Sequence, residues 1–261
     1  MQALPLSVIV TTHARPAFLA RALQSLLAQT VQDFQIVVCA DEPSPATKQV
    51  AAHFLRAQDV LVVVPQAHGP ADTRNLGIQL AGGQNICFLD DDDSVPPGHV
   101  ADLLAHLPAH AGELVYFNYQ QVTELREGDH VTLLETKAVD TRTEDSEVLL
   151  VNNFVPNNAF VVGRALAGAV AFDRQLASLE DWDYLLALRP LVQFRHAALD
   201  GPNVHLAASP ERRTVQSFQD GSVALDYLSI YRKWRATNDV QRRERSDLLA
   251  RLGLQVSPAH L

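Results

Sequence analysis

Asn85-Ile86-Cys87-Phe88-Leu89-Asp90-Asp91-Asp92-Asp93 is the stretch on which the reading of the fold turns. The small and apolar residues after Asn85 form a buried strand, and a run of carboxylates stands at its C-terminal end. Like charges this close repel, so such a cluster is tolerated where something positive is held. Oxygen-only ligands favour a hard cation such as Mg²⁺ or Mn²⁺. In open α/β sheets, ligands bind outside the carboxyl ends of the strands. Taken alone, the run fits a solvated turn equally well, because Asp favours turns and helix N-caps. An EF-hand is excluded: counting from Asp90, its Gly and Glu positions hold Val95 and Ala101.

Outward from this stretch, strand-like runs alternate with helical ones. Leu6 to Thr11, Gln35 to Ala40 and Val60 to Val64 are short, β-branched and apolar, as buried parallel strands are. Between them lie helices from Pro16, from Pro45 to Ala57 and from Ala71 to about Leu80. This predicts right-handed βαβ units over the first 110 residues or so. After Gly112 the pattern becomes mixed. Glu113 to Glu124 and Val131 to Thr136 flank a turn at Arg126-Glu127-Gly128-Asp129 and read as a hairpin. Strands at Ala159 to Val162 and Val192 to Ala198, with a helix from Glu180 to Leu188, are expected to extend the same sheet. The end of the chain is helical: Ser222 caps a helix with Ala224, Tyr227, Leu228, Tyr231 and Trp234 on one face.

The chain has 261 residues, 47% of them hydrophobic, which is enough for a sizeable core in one large domain or two small ones. Its net charge of −9 argues against broad nucleic-acid binding. Cys39 and Cys87 sit inside apolar strands and read as buried reduced thiols. Neither a signal pattern nor a membrane-length apolar run is present, so the expected location is cytoplasmic. Arg232, Lys233, Arg235, Arg242, Arg243, Arg245 and Arg251 make the C-terminal end basic. That end is either a solvated face or a peripheral contact with an anionic membrane. The first strand is followed by Thr12-His13-Ala14-Arg15-Pro16, without the glycines of a dinucleotide site or a P-loop.

In order, these signals resemble the inverting family 2 glycosyltransferases of the GT-A fold. The resemblance rests on Ser7 to Thr12, on Val37 to Ser44, and on Gly69-Pro70-Ala71-Asp72-Thr73-Arg74-Asn75-Leu76-Gly77. It rests further on Phe88 to Asp93 as a strand with a D-x-D signature, and on Leu179-Glu180-Asp181-Trp182-Asp183. It implies an α/β GT-A domain over residues 1–215, with a mostly parallel central sheet flanked by helices. Residues 1–110 would bind the nucleotide, residues 111–215 would form a mixed acceptor half, and 216–261 a helical extension. The implied reaction moves a sugar from a nucleotide-sugar donor, uridine by default with thymidine or guanosine open, to a hydroxyl on a carbohydrate, lipid-linked or small-molecule acceptor. Cell-envelope polysaccharide synthesis would be the setting.

The same resemblance implies the site. Asp92 is the expected metal ligand, for Mn²⁺ or Mg²⁺, with Asp90 and Asp91 beside it on the donor and His205 a further ligand. Thr11, Thr12, Arg15, Asp41 and Arg74 would hold the nucleotide. Asp181 would be the base, with Glu180 next to it. Each also has a plain structural reading. Asp181 completes a capping box from Ser178, Asp41 is a turn acid, Arg74 a solvated helix arginine, and His205 a satisfied core residue. Two other functions share this plan: a sugar-phosphate nucleotidyltransferase, disfavoured because Thr11 to Arg21 lacks glycine, and a non-catalytic sugar-nucleotide-binding protein. Asp140 to Ser146 is polar and is expected to form a loop over the site.

Overall fold

The computed structural model describes residues 4–66, 69–127, 130–142, 145–176, 178–208 and 222–261. The turn at Gly128-Asp129, the Ser222 side chain and part of the 140–146 loop lie outside the described residues.

The first half follows the alternation of its sequence. Strands β1 (Leu6–Thr12), β2 (Gln35–Ala40), β3 (Val60–Val63) and β4 (Asn85–Asp90) are joined by helices α1 (Pro16–Leu27), α2 (Pro45–Phe54) and α3 (Pro70–Leu80). All three helices carry Pro at a first-turn position, where its fixed φ is preorganised and its missing N–H costs nothing. The remaining elements are α4 (His99–Ala105), β5 (Glu113–Phe117), β6 (Tyr119–Glu127), β7 (His130–Val139), β8 (Phe160–Gly163), α5 (Arg164–Ala167), α6 (Glu180–Leu188), β9 (Gln193–Ala197), β10 (Asn203–Ala207), α7 (Ser222–Lys233) and α8 (Asp239–Arg251).

Seven strands form the central sheet, in the order β3-β2-β1-β4-β8-β5-β9. Only β8 runs against the others, pairing antiparallel with both β4 and β5. The sheet buries Val8, Ile9, Val10, Val37, Phe88, Val115 and Val161 beneath helices on its faces. Cys39 and Cys87 are buried free thiols, pushed up to about 12 by burial.

The second half departs from expectation in one respect. Glu113 to Glu124 is not one strand. It breaks at Asn118, whose side-chain oxygen accepts hydrogen bonds from the Thr141 backbone N–H at 2.9 Å and from its hydroxyl at 3.2 Å. Beyond that break the chain leaves the central sheet, and β6 joins β7 and β10 in a separate three-stranded sheet ordered β10-β6-β7. Alternation along a strand reports which residues share a face, but not which sheet the strand enters.

Gly77 sets how closely α3 lies on the sheet. A Cβ there would meet Ile9 Cγ2 at 2.4 Å and Cys39 Sγ at 3.2 Å. Gly77→Val is therefore expected to destabilise the fold by roughly 1–3 kcal/mol through overpacking, read as a lower urea midpoint with an unchanged m-value.

The C-terminal helices dock on the core rather than standing free. Tyr227 and Tyr231 pack edge-on against Trp182, and Trp234 Nε1 donates to Asp183 at 2.7 Å. Arg245 does not belong to a solvated or membrane-facing surface: it is fully buried and donates to the carbonyls of Leu150 (2.6 Å) and Trp234 (2.7 Å). Among the described residues no helix is long and apolar enough to cross a membrane.

Candidate active site

The carboxyl ends of β1, β2 and β4 lie side by side, Thr11 level with both Cys39 and Asp90. A cleft of about 600 Å³ opens there, lined by Thr11, Thr12, Arg15, Asp41, Gly69, Arg74, Asp90, Asp92 and Glu180. The acidic run is split by alternation. The side chains of Asp90 and Asp92 are 34% and 22% exposed and line the cleft, whereas Asp91 is 0% exposed and Asp93 is buried.

Asp91, expected on the donor, faces inward instead. It accepts hydrogen bonds from Thr12 Oγ1 at 2.6 Å and Arg15 Nε at 3.2 Å. Burial pushes its pKa up to about 6, against the pull of Arg15 and Thr12. Its part is to anchor Arg15, whose Nη1 then reaches Asp92 at 3.2 Å. Asp93 accepts from Asn158 Nδ2 at 2.6 Å, and burial raises it well above the usual carboxylate range.

Asp41 accepts from the Gly69 N–H at 3.2 Å and has His13 Nδ1 at 3.5 Å. Gly69 sits at φ 87°, a left-handed value open to glycine, and this lets the chain turn into α3 with its amide aimed at Asp41. Among the described residues two non-glycine residues also adopt positive φ, Ala14 at 50° and Leu179 at 63°. Each directly precedes a residue of the cleft lining, Arg15 and Glu180. Such backbone costs of order 1–3 kcal/mol and gathers at functional sites.

Arg74 is not a solvated helix arginine. Buried at the start of α3, it donates to Asp90 Oδ1 at 3.0 Å and Glu180 Oε1 at 2.5 Å, so it ties the D-x-D strand to the Glu-Asp pair 106 positions on. Burial opposes its charge, but Asp90, Glu180 and Asp181 more than compensate and raise its pKa. The capping box from Ser178 does not form. Leu179 is the N-cap, and Ser178 Oγ donates to Asp226 instead. Asp181 accepts from the Trp182 N–H at 2.8 Å and Asn153 Nδ2 at 3.4 Å. Burial and the neighbouring Glu180 push it up to about 6, against Arg74.

His205 has both ring nitrogens engaged, Nδ1 with Glu124 and Nε2 with Ser94 Oγ, each at 2.9 Å. Burial and the positive charge of Arg21 lower its pKa, against the pull of Glu124. Glu124, Arg21, Arg126 and Asn158 also touch the acidic run or its supports, and sequence reasoning did not find them. One signal was present: Glu124 and Arg126 lie two apart on a strand, hence on one face with buried Val122.

The sequence profile described as Glycosyl transferase family 2 matches residues 7–165, more than half of the chain. The chain belongs to that family. Among its relatives are the succinoglycan biosynthesis protein ExoW of Rhizobium meliloti, 29% identical over 66% of this chain and 59% of ExoW. Another is the GalNAc(5)-diNAcBac-PP-undecaprenol β-1,3-glucosyltransferase of Campylobacter jejuni, 34% identical over 38% of this chain and 33% of the relative. The matches thus span less than two thirds of either relative. Among solved structures, S. aureus TarS 1-349 with UDP-GlcNAc superposes with a TM-score of 0.62 at 18% identity, over 95% of this chain and 72% of TarS 1-349. The mannosyltransferase PcManGT of Pyrobaculum calidifontis, with GDP-Man and Mn²⁺, gives 0.62 at 13% identity, over all of this chain and 78% of PcManGT. The fold is GT-A.

Proposed function

We propose that residues 1–215, with an extension over 216–261 whose described helices α7 and α8 pack against them, form a metal-assisted inverting glycosyltransferase acting on a nucleoside-diphosphate sugar, a uridine one by preference. The observation that carries this reading is the Arg74 bridge. One buried guanidinium gathers Asp90 from the acidic run and Glu180 from the late pair, with Asp181 adjacent, at the mouth of a single cleft.

The donor set suits a hard cation. Asp90 and Asp92 offer carboxylate oxygens only, and among the described residues no three His, Cys, Asp or Glu side chains converge on a metal position. Two such carboxylates suit Mg²⁺ or Mn²⁺, which is commonly held by one or two carboxylates and the substrate's own phosphates. Asp92 would hold it, with Asp90 beside it. His205, whose Nε2 is engaged by the Ser94 hydroxyl, would have to leave that partner and move to join them. A bound ion supplies Lewis-acid neutralisation of the departing diphosphate.

This chain's own residues do the rest. Thr11, Asp41 and the Gly69 turn border the space for the nucleoside, and Arg15 brings a positive charge to its phosphate end. Asp181 takes the proton from the acceptor hydroxyl as that oxygen bonds to the anomeric carbon and the bond to the diphosphate oxygen breaks. Attack from the face opposite the leaving group inverts the centre. The acceptor is a carbohydrate, lipid-linked or small-molecule hydroxyl, and the C. jejuni relative's name specifies an undecaprenol-linked substrate. Arg232, Arg235, Arg243 and Arg251 are exposed, and they would face an anionic membrane if the acceptor is lipid-linked.

UDP with Mn²⁺ is expected to raise the melting temperature, by about 2.7 kcal/mol of added stability at a hundredfold excess over Kd, or on the order of 5–10 °C. Omitting Mn²⁺ should remove most of the shift. Failure of UDP, GDP and dTDP alike to move the transition with Mn²⁺ present would overturn the reading.

A further inference from the structure

Glu124 has no place in the chemistry above, yet it is the hub behind it. It lies on β6, two residues short of Arg126, where the ladder with β7 slips: Thr123 pairs with Glu135 but Glu124 with Leu133, leaving Leu134 over. A bulge of this kind twists the strands and re-aims the side chains beside it. The Glu124 side chain is 2% exposed. A buried carboxylate is tolerated only when it is paired and hydrogen-bonded, and Glu124 is saturated with donors.

Its Oε1 accepts from Arg126 Nε at 2.7 Å and from Arg21 Nη1 at 3.2 Å. Its Oε2 accepts from Arg21 Nη1 at 3.0 Å and from His205 Nδ1 at 2.9 Å. Each of these donors makes its next contact on the acidic run. Arg126 Nη1 donates to Asp92 Oδ2 at 3.2 Å, and Arg21 Nη2 donates to the Asp92 carbonyl. The His205 backbone N–H donates to Asp93 Oδ1 at 2.7 Å, and its Nε2 meets Ser94 Oγ at 2.9 Å. Phe18 lies under both guanidiniums, 5.2 Å from Arg21 and 4.6 Å from Arg126, and confines them on the remaining side.

From this geometry we propose that Glu124 is a positioning residue for the donor end of the site: it holds Arg21, Arg126 and His205 from behind so that they fix Asp92, Asp93 and Ser94. The inference rests on the glycosyltransferase reading for what Asp92 serves, but the arrangement itself does not. Two consequences follow. Without the carboxylate, Arg21 and Arg126 become neighbouring half-buried cations with one less anion between them, and Arg126 loses the fork that aims it at Asp92. Further, an ionised Glu124 can only accept, so the His205 proton sits on Nδ1 and the Nε2 lone pair points toward the run. A carboxylate behind a histidine is the arrangement that fixes ring orientation at metal sites.

The test is Glu124→Gln in the full chain, an isosteric change that removes the charge. Calorimetric titration with UDP in the presence of Mn²⁺ is expected to show Kd raised at least tenfold, in the range found when such outer partners of a metal site are lost. Long-range ¹H–¹⁵N NMR of labelled histidine, assigned through His205→Gln, is expected to show Nδ1–H in the parent chain and a loss of that preference in Glu124→Met, which leaves no acceptor beside Nδ1. If E124Q does not fold, Arg126→Gln cuts the relay to Asp92 alone and carries the same tenfold expectation. If both fold, the double variant should lose no more than the worse single one, because the Arg126 contact with Asp92 is one of the branches that Glu124 holds. A folded E124Q with Kd within twofold of the parent, or losses that add in the double variant, would overturn the proposal. Should the parent chain bind no nucleoside diphosphate with Mn²⁺, the glycosyltransferase reading fails. The ligand-free tautomer then decides this inference by itself, an unchanged Nδ1–H in E124M refuting it.

Discussion

Asp181→Asn is expected to lower sugar transfer by 10²–10⁴-fold while UDP binding in the presence of Mn²⁺ stays within about twofold of the parent. The range is that of a positioned general base. The split follows from the proposed roles: the nucleoside is assigned to the part of the cleft lined by Thr11, Asp41 and Gly69, whereas Asp181 directly follows the lining residue Glu180 and accepts from the Trp182 N–H. The amide keeps the shape and can still accept from the Trp182 N–H, but it takes no proton. Burial and Glu180 push Asp181 up to about 6, so the parent enzyme's rate should climb through pH 6 rather than near the ordinary carboxylate range. A carboxyl with a raised folded-state pKa favours the native state while protonated, and this contribution is lost as pH rises through about 6. Asn retains the uncharged form at every pH, so D181N should be no less stable than the parent at pH 7. Comparable transfer by D181N would remove Asp181 from the role of base. A large fall in its melting temperature would make the effect structural.

The parallel half of the sheet was legible because its strands are continuous apolar runs separated by Pro-started helices, and each feature has a local cause. The placement of Asp90 and Arg74 was legible only through the order of the motifs, since no local rule links residue 74 to residue 180. The inward position of Asp91 is not legible because four identical residues carry no register: β4 ends at Asp90, a turn closed by the Asp93 N–H on the Asp90 carbonyl follows, and the Thr12 and Arg15 partners take Asp91 inside. Ser178 was read as a cap from its spacing, but tertiary contact with Asp226 on α7 drew it away. Glu124 stayed hidden for a similar reason. Its partners lie 103 positions before it at Arg21 and 81 after it at His205, and a lone Glu in an alternating strand reads as solvent-facing. The burial of Arg245 is likewise not legible among the other basic residues, because its carbonyl partners come from two distant segments, Leu150 on one side and Tyr231 and Trp234 at the end of α7 on the other.

Arg74→Met is expected to have the largest effect on stability, a loss of about 3–5 kcal/mol, the cost of removing one partner from a buried ion network. The methionine fills much of the space against Phe172, whose ring lies 5.5 Å from the guanidinium, so the loss is electrostatic more than steric. It leaves Asp90 and Glu180 without the cation that joins them and Asp181 close to both, in a pocket where the Arg74 side chain is only 7% exposed. In a chain of this size the deficit corresponds to a fall in melting temperature of roughly 6–15 °C. Because Arg74 opposes the upward push on Asp181, its removal should carry that group above about 6 and move the acid limb of the rate profile to higher pH. The stability deficit should shrink as pH falls, since protonation relieves carboxylates that have lost their counter-ion. Arg74→Lys should recover little, as one ammonium cannot reproduce the planar fork that reaches Asp90 through Nη2 and Glu180 through Nη1. An R74M variant with unchanged stability and an unmoved acid limb would mean that the acidic strand and the Glu-Asp helix hold together without this bridge, and the case for a single shared site would go with it.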